Sequence, residues 1–122
     1  MIVFDCSRYA RIAERNRERF EAVHRFEEPD RVPVAIGVGG PYYAWLFGYT
    51  LMEYYSSFKV MVDVQLMGLK WRFEWLQDDV VGVGVHLDVG SIAEGIVFDC
   101  RIAMPDERNP WRSPWIVPRI QR

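Results

Sequence analysis

The sequence has 122 residues, of which 50% are hydrophobic and 26% are charged, and its formal net charge is -2. This composition is typical of a folded globular domain and excludes an intrinsically disordered chain. The near-neutral charge also excludes a general nucleic-acid binder, because such domains carry a basic face that neutralises phosphates.

The cysteines and the apolar stretches indicate a cytoplasmic protein. Cys6 and Cys100 stand outside any motif for zinc or redox chemistry, which fits a reducing compartment. The longest charge-free stretch, 32–52, has enough residues for a membrane span, but prolines and glycines interrupt it. We therefore expect neither a membrane span nor a membrane partner.

The first predicted element is a leading helix over 7–27, with Ser7 as its N-cap. Its apolar residues recur at spacings of three and four, which places them on one face: Tyr9, Ile12, Ala13, Phe20, Val23 and Phe26. Arginines and glutamates alternate over the rest of the helix. This pattern predicts a solvated face with ion pairs at helical spacing.

The second predicted element is a strand over 32–38, which follows a turn at 28–31. The strand is rich in β-branched residues, and Gly39, Gly40 and Pro41 stop it.

Helices are predicted over 42–76. A short helical turn follows Pro41 and closes at Gly48. Thr50 and Glu53 form a capping box that starts another helix. The chain is expected to reorganise near 56–57, and the last helix of the group ends at Leu76.

A second strand is predicted over 80–87, after a turn at Asp78 and Asp79, and an extended segment with a proline- and tryptophan-rich tail covers 96–122. Strand, helices and strand in this order are typical of a parallel sheet in an α/β protein. We therefore expect 32–38 and 80–87 to be neighbouring parallel strands.

Both predicted strands have one branched face and one face of small residues. The small face of the second strand ends in His86 and Asp88, at the carboxyl end where α/β folds keep their chemistry. These two side chains are candidate catalytic residues that orient the substrate or act as an acid–base pair. The alternative is a polar pair that caps the strand end.

Five segments of the chain, in their order and spacing, resemble the uroporphyrinogen decarboxylase superfamily. They are Arg17-Glu-Arg-Phe-Glu-Ala, Glu28-Pro-Asp-Arg-Val-Pro-Val, Asp79-Val-Val-Gly-Val, Ala93-Glu-Gly, and Met104-Pro-Asp-Glu with Pro110-Trp111. The resemblance extends from Arg17 to about Trp115 and corresponds to the amino-terminal part of the family. It implies the amino-terminal segment of a (β/α)8 TIM barrel, incomplete in this chain, since such barrels need about 250 residues.

The superfamily includes cofactor-free decarboxylases of uroporphyrinogen and zinc-dependent methyltransferases that act on a corrinoid protein and a thiol. The decarboxylases hold substrate carboxylates with two arginines, and a gap-free count places these positions at Val38 and Tyr42. Neither residue supplies a guanidinium. The resemblance therefore favours corrinoid-dependent methyl transfer, with porphyrinogen decarboxylation as the alternative.

The resemblance also implies the remaining site and partner expectations. Gly39, Tyr42 and Tyr43 are candidate substrate-binding residues, and the aromatic rings could line a pocket for a flat macrocycle, although aromatics at this spacing are often core. We expect no metal ligand and no cofactor bound by this chain. Zinc and a corrinoid partner belong to the complete protein.

The isolated chain is expected to be inactive. A non-catalytic partner subunit is the alternative from another functional class, because exposed strand edges would associate with another chain or with a second copy.

Overall fold

The computed structural model describes residues 5, 7–82, 84–86, 96–97, 100–113 and 115–118. This described part is mainly helical. The chain divides into two compact units. The first comprises Met1–Val38 and Leu66–Val85, the second comprises Gly39–Gln65 and His86–Arg122, and each is described by itself below.

The described helices follow one another from Ser7 to Leu76. Their bounds are α1 Ser7–His24, α2 Gly40–Leu46, α3 Leu51–Ser56 and α4 Phe58–Trp71, and α4 continues into a π-helical turn at Arg72–Leu76.

The local signals for these helices are confirmed where the deciding contacts are close in sequence. Thr50 accepts a hydrogen bond from the Glu53 N–H, and the Glu53 side chain accepts one from Thr50, so the predicted capping box is present. The predicted break is real, because α3 ends at Ser56. Gly48 lies just after α2 with φ 78°, a conformation that favours glycine.

The leading helix differs from its prediction at both ends. Ser7 is its first helical residue, and the carboxylate of Asp5 accepts hydrogen bonds from the Ser7 N–H and hydroxyl, so Asp5 takes the capping role expected of Ser7. The helix ends at His24 and not at 27, because Phe26 adopts a positive φ of 57°. Phe26 is 99% exposed, although its position had placed it on the apolar face.

The strands that the structure describes form a small antiparallel sheet in the second unit. Its strands are β1 Ile96–Val97, β2 Cys100–Ala103 and β3 Trp115–Pro118, in the order β1-β2-β3. Val97 pairs with Cys100 and Ala103 with Trp115. The continuous extended segment predicted here is therefore folded back on itself.

The predicted parallel sheet, and with it the TIM-barrel segment, is wrong for the described residues. Neither 32–38 nor the described part of 80–87 forms a strand, and the sheet that is described is antiparallel. The physical reason is that side chains, together with the Asp79 N–H, bind the backbone at Val34, Ile36 and His86, where a neighbouring strand was expected. Asp78, Asp79 and Arg72 bind Val34 and Ile36, and Gln65 binds His86.

The core of the first unit lies between α1 and the π-helical turn. Tyr9 and Phe73 are 5% exposed and stack with ring centroids 4.9 Å apart, and Ala13 completes the buried cluster. Val80 packs against it from the segment that follows the turn. These contacts account for the spacing of apolar residues in the first half of α1.

The core of the second unit contains Tyr54, whose side chain is fully buried. Its hydroxyl accepts a hydrogen bond from the buried Gln65 side chain of α4. Gly40, the first residue of α2, lies directly against the Tyr54 ring, so that a Cβ at this position would overlap the hydroxyl. The close approach explains why a glycine starts the helix here.

We expect Gly40→Ala to lower the free energy of unfolding by about 1–3 kcal/mol, because the added methyl group overpacks against a buried ring. Gly39→Ala is the matched control, since a Cβ there would meet only the Pro41 ring at an ordinary 3.6 Å. Urea denaturation followed by circular dichroism measures both variants. Equal stability of the two would contradict the contact.

Candidate functional site

The first candidate site is a cluster of charges around two buried carboxylates in the first unit, which we call the acidic cluster. It consists of Asp78 and Asp79, which follow the π-helical turn, and the three arginines Arg19, Arg31 and Arg72. The sequence analysis treated the two aspartates as a turn and the α1 arginines as a solvated face. The two aspartates are buried and ion-paired, and among the α1 arginines Arg19 joins them, whereas Arg8, Arg11, Arg15 and Arg17 are exposed as predicted.

Asp79 is the centre of the cluster, with its side chain 1% exposed. Arg31 binds both carboxylate oxygens at 2.7 and 2.5 Å, and Arg19 donates to one of them at 2.9 Å. The Val34 N–H donates to the other oxygen at 2.8 Å, and the Val34 carbonyl accepts from the Asp79 N–H at 2.8 Å. One residue thus joins α1, Arg31 and the segment 32–38.

Asp78 holds the same segment two residues further along. Its side chain, 4% exposed, accepts two hydrogen bonds from Arg72, from Nε at 2.9 Å and from Nη2 at 2.6 Å. It also accepts the Ile36 N–H at 2.8 Å, and Arg72 Nη2 donates to the Ile36 carbonyl. Both backbone groups of Ile36 are therefore bound by side chains.

The cluster reaches the surface at Asp30. Arg19 donates to its two carboxylate oxygens at 2.6 and 2.8 Å, and the Arg31 N–H donates at 3.0 Å. The hydrogen bond from Arg19 lowers the pKa of Asp30 to about 2, and the same pair raises the pKa of Arg19. Asp30 is 59% exposed, so water screens this pair.

The buried aspartates stay ionised because their partners outweigh their burial. Burial by itself raises the pKa of Asp79, but the hydrogen bonds from Val34, Arg31 and Arg19 bring it below its ordinary value. Burial likewise raises the pKa of Asp78, and the hydrogen bonds from Arg72 and Ile36 bring it below the ordinary value. Neither carboxylate is available as a general acid near neutral pH.

The arrangement of the acidic cluster favours a structural role. A cavity of about 350 Å³ beside it is lined in part by Arg15, Arg19 and Arg31. The guanidinium groups of Arg19 and Arg31 already bind Asp30 and Asp79, so they offer an anion little unpaired charge. The cluster orders the segment 32–38 and has no free reactive group.

His86, a predicted catalytic residue, lies in the second unit with its side chain exposed. Its peptide group is bound by Gln65, which accepts from the His86 N–H at 2.7 Å and donates to the His86 carbonyl at 2.7 Å. The Gln65 side chain also donates to the Tyr54 hydroxyl at 3.0 Å. The backbone at His86 is thus fixed from α4. Asp88, its predicted partner, lies outside the described residues.

The structure brings the predicted substrate-binding residues together at the start of α2. The Gly39 carbonyl accepts from the N–H groups of Tyr42 and Tyr43. Tyr43 is buried, so it belongs to the core, whereas Tyr42 is 46% exposed. The ring of Tyr42 lies 5.8 Å from that of Trp45, which is 62% exposed. Tyr42 and Trp45 form an exposed aromatic pair.

The acidic cluster escaped prediction because the partners of Asp79 lie far from it in sequence. Ion pairs at helical spacing, as predicted for this helix, do exist at Arg17–Glu14 and Arg25–Glu21, and both lie on the exposed surface. The one available signal was the unusual adjacency of Asp78 and Asp79 before an apolar run. Two carboxylates in that position need cationic partners when they are buried.

Comparisons with models of known protein families, with curated proteins and with solved structures gave no match for this chain. Among the described residues, no helix is long and apolar enough to cross a membrane. The same residues contain no group of three His, Cys, Asp or Glu side chains that could hold a metal ion.

We expect Asp79→Asn to lower the free energy of unfolding at neutral pH by about 1–3 kcal/mol, because it removes a counter-charge of the largely buried Arg19 and of Arg31, whose half-exposed guanidinium is partly screened by water. In the parent chain, the contribution of Asp79 is present above the ordinary aspartate pKa of about 4 and is lost as the pH falls through the lowered folded value. The stability of the variant should therefore depend less on pH below about 4.

Urea denaturation at several pH values measures this difference. Glu14→Gln is the matched control, since it removes one exposed carboxylate from the Arg17 pair and should change stability little. A parent and an Asp79→Asn variant that lose stability in parallel on acidification would contradict the role of Asp79.

Proposed function

We propose that this chain contributes the amino-terminal part of an enzyme of the uroporphyrinogen decarboxylase superfamily, and that the reaction is methyl transfer between a corrinoid protein and a thiol. The observation that carries the proposal is the order and spacing of the segments that resemble the family, from Arg17 to Trp115. The family's reaction and residue roles are assigned to this chain, and its parallel barrel is not. The proposed enzyme is cytoplasmic.

The choice of methyl transfer over porphyrinogen decarboxylation is supported by charge. A porphyrinogen that carries many carboxylates needs guanidinium partners. The two positions that hold such arginines in the decarboxylases are occupied here by Val38 and Tyr42, and the whole stretch 32–52 has no charged residue. An uncharged aromatic surface suits a corrinoid better than a polyanion.

The exposed pair Tyr42 and Trp45 is the surface that we assign to the corrinoid. Exposed aromatic rings offer a flat apolar face on which a macrocycle can stack. Gly39 precedes them without a side chain that would obstruct the approach. In this proposal zinc and the corrinoid partner belong to the complete protein. We expect the chain by itself to bind the corrinoid without turning it over.

In this proposal His86 and Asp88 orient the substrate or move a proton. The exposure of the His86 imidazole supports this role, since a side chain that meets substrate must be accessible. Its peptide is held by Gln65, which limits the positions that the imidazole can take.

We expect the chain to bind methylcobalamin more tightly than uroporphyrin, and Trp45→Ala to weaken corrinoid binding about fivefold, which corresponds to about 1 kcal/mol. Equilibrium dialysis with the absorbance of the macrocycle measures both ligands. Trp75→Ala is the matched control, because Trp75 is also largely exposed, at 77%, but lies in the first unit. Tighter binding of uroporphyrin would contradict methyl transfer.

In the complete enzyme we expect His86→Asn to lower kcat at least about tenfold, because a positioned acid–base group contributes that much or more. Its effect on stability should be small, since the side chain is exposed. His24→Asn is the matched control, an exposed histidine on α1 with no proposed role. If turnover by His86→Asn stays within about twofold of the parent, His86 does not take part in the reaction and is only a polar residue at the end of its segment.

A further inference from the structure

The segment 32–38 presents one occupied and one free backbone edge. Val34 and Ile36 are bound through both their N–H and carbonyl groups. This alternation at every second residue is the pattern of a strand edge. The intervening residues Ala35 and Gly37 therefore direct their N–H and carbonyl groups to the opposite side, and within the described residues no hydrogen bond reaches them. We call Ala35 and Gly37 the free edge.

The side chains around the free edge are apolar and exposed. Val32, Val34 and Ile36 are 76%, 55% and 47% exposed. Three β-branched side chains in a row on one face are suited to cross-strand packing and are unusual on a surface that faces water.

The free edge also lacks the features that keep strand edges apart. Natural edges are protected by charged side chains, above all lysine, by prolines or by a covering element. No charged residue occurs between Val32 and Met52. Pro33 removes one donor next to the free edge but leaves the donors of Ala35 and Gly37 in place.

We infer that a second copy of this chain binds the free edge, with the two 32–38 segments antiparallel about a two-fold axis. In this register Ala35 of each copy lies opposite Gly37 of the other, and each pair exchanges both of its hydrogen bonds. Ile36 then faces its own counterpart across the axis.

A second copy fits because the edge is self-complementary. The same two residues supply equal numbers of donors and acceptors, so an isologous pair leaves none of them unmatched. The segment is neutral, so two copies do not repel each other. The exposed valine and isoleucine side chains of both copies combine into one apolar face. The acidic cluster keeps the segment in place before pairing, which reduces the entropy lost on association.

The test places charged side chains at the two-fold axis of the proposed dimer. Ile36→Lys and Ile36→Glu each place two like charges opposite each other and should halve the mass of the parent dimer. An equal mixture of the two variants should restore the dimer mass, because lysine then faces glutamate. Phe26→Lys is the matched control, since it adds the same charge at a 99% exposed apolar side chain outside the segment 32–38. Sedimentation velocity over a dilution series measures the masses, and circular dichroism confirms folding.

A monomeric parent at high micromolar concentration would overturn the inference. So would a mixture of Ile36→Lys and Ile36→Glu that stays monomeric, because the partner of the edge would then not be a second Ile36. Should the charged variants unfold, Ala35→Pro removes a donor of the free edge, and the extended backbone before it is the conformation that a residue preceding proline prefers. A folded dimer that keeps the parent's dissociation constant in this variant would equally overturn the inference.

Discussion

The burial of one carboxylate, that of Asp79, is the constraint on which the first unit depends. A carboxylate without water must be paired with cations and saturated with hydrogen bonds, or it destabilises the fold. Asp79 meets this requirement with groups from three places: Arg19 in α1, Arg31 before the extended segment, and the Val34 N–H within it. Satisfying this one side chain therefore determines where all three lie relative to the end of the π-helical turn.

The same requirement explains why the segment 32–38 is ordered without a neighbouring strand. In a sheet, backbone groups of one strand bind backbone groups of the next. Here Asp78, Asp79 and Arg72 take the place of the second strand and bind Val34 and Ile36. Side chains can bind the backbone groups on one edge of the segment in this way. The backbone groups on the other edge stay without partners among the described residues, and the valine side chains stay exposed. The binding of Val34 and Ile36 by the acidic cluster therefore orders the segment and also leaves Ala35 and Gly37 without hydrogen-bond partners in the described part of the chain.

The second unit uses a neutral side chain for the same purpose. The amide of Gln65 accepts from the N–H and donates to the carbonyl of His86, as the N–H and carbonyl of one residue on a neighbouring antiparallel strand would. A buried amide has a smaller desolvation cost than a buried carboxylate, and the Tyr54 hydroxyl provides a further partner. The contact involves only the backbone of His86, and the residue is otherwise exposed.

The sequence by itself determined the elements whose causes are local. The capping box at Thr50, the break at Ser56 and the end of the helical run at Leu76 could be predicted, because each depends on residues within one or two helical turns. The candidate residues Gly39, Tyr42 and Tyr43 do meet at the start of α2 for the same reason.

Only the tertiary structure decided what binds the two extended segments. Their β-branched composition is compatible with a parallel sheet. The sequence does not show which distant side chains form hydrogen bonds with the backbone of these segments in place of a neighbouring strand. Asp79 meets Arg31 and Arg19 across 48 and 60 residues. Such contacts depend on burial and on the simultaneous placement of several charges, since a buried carboxylate is stable only when all its partners are present. The ion pairs that take the place of the expected sheet therefore join residues that are far apart in sequence.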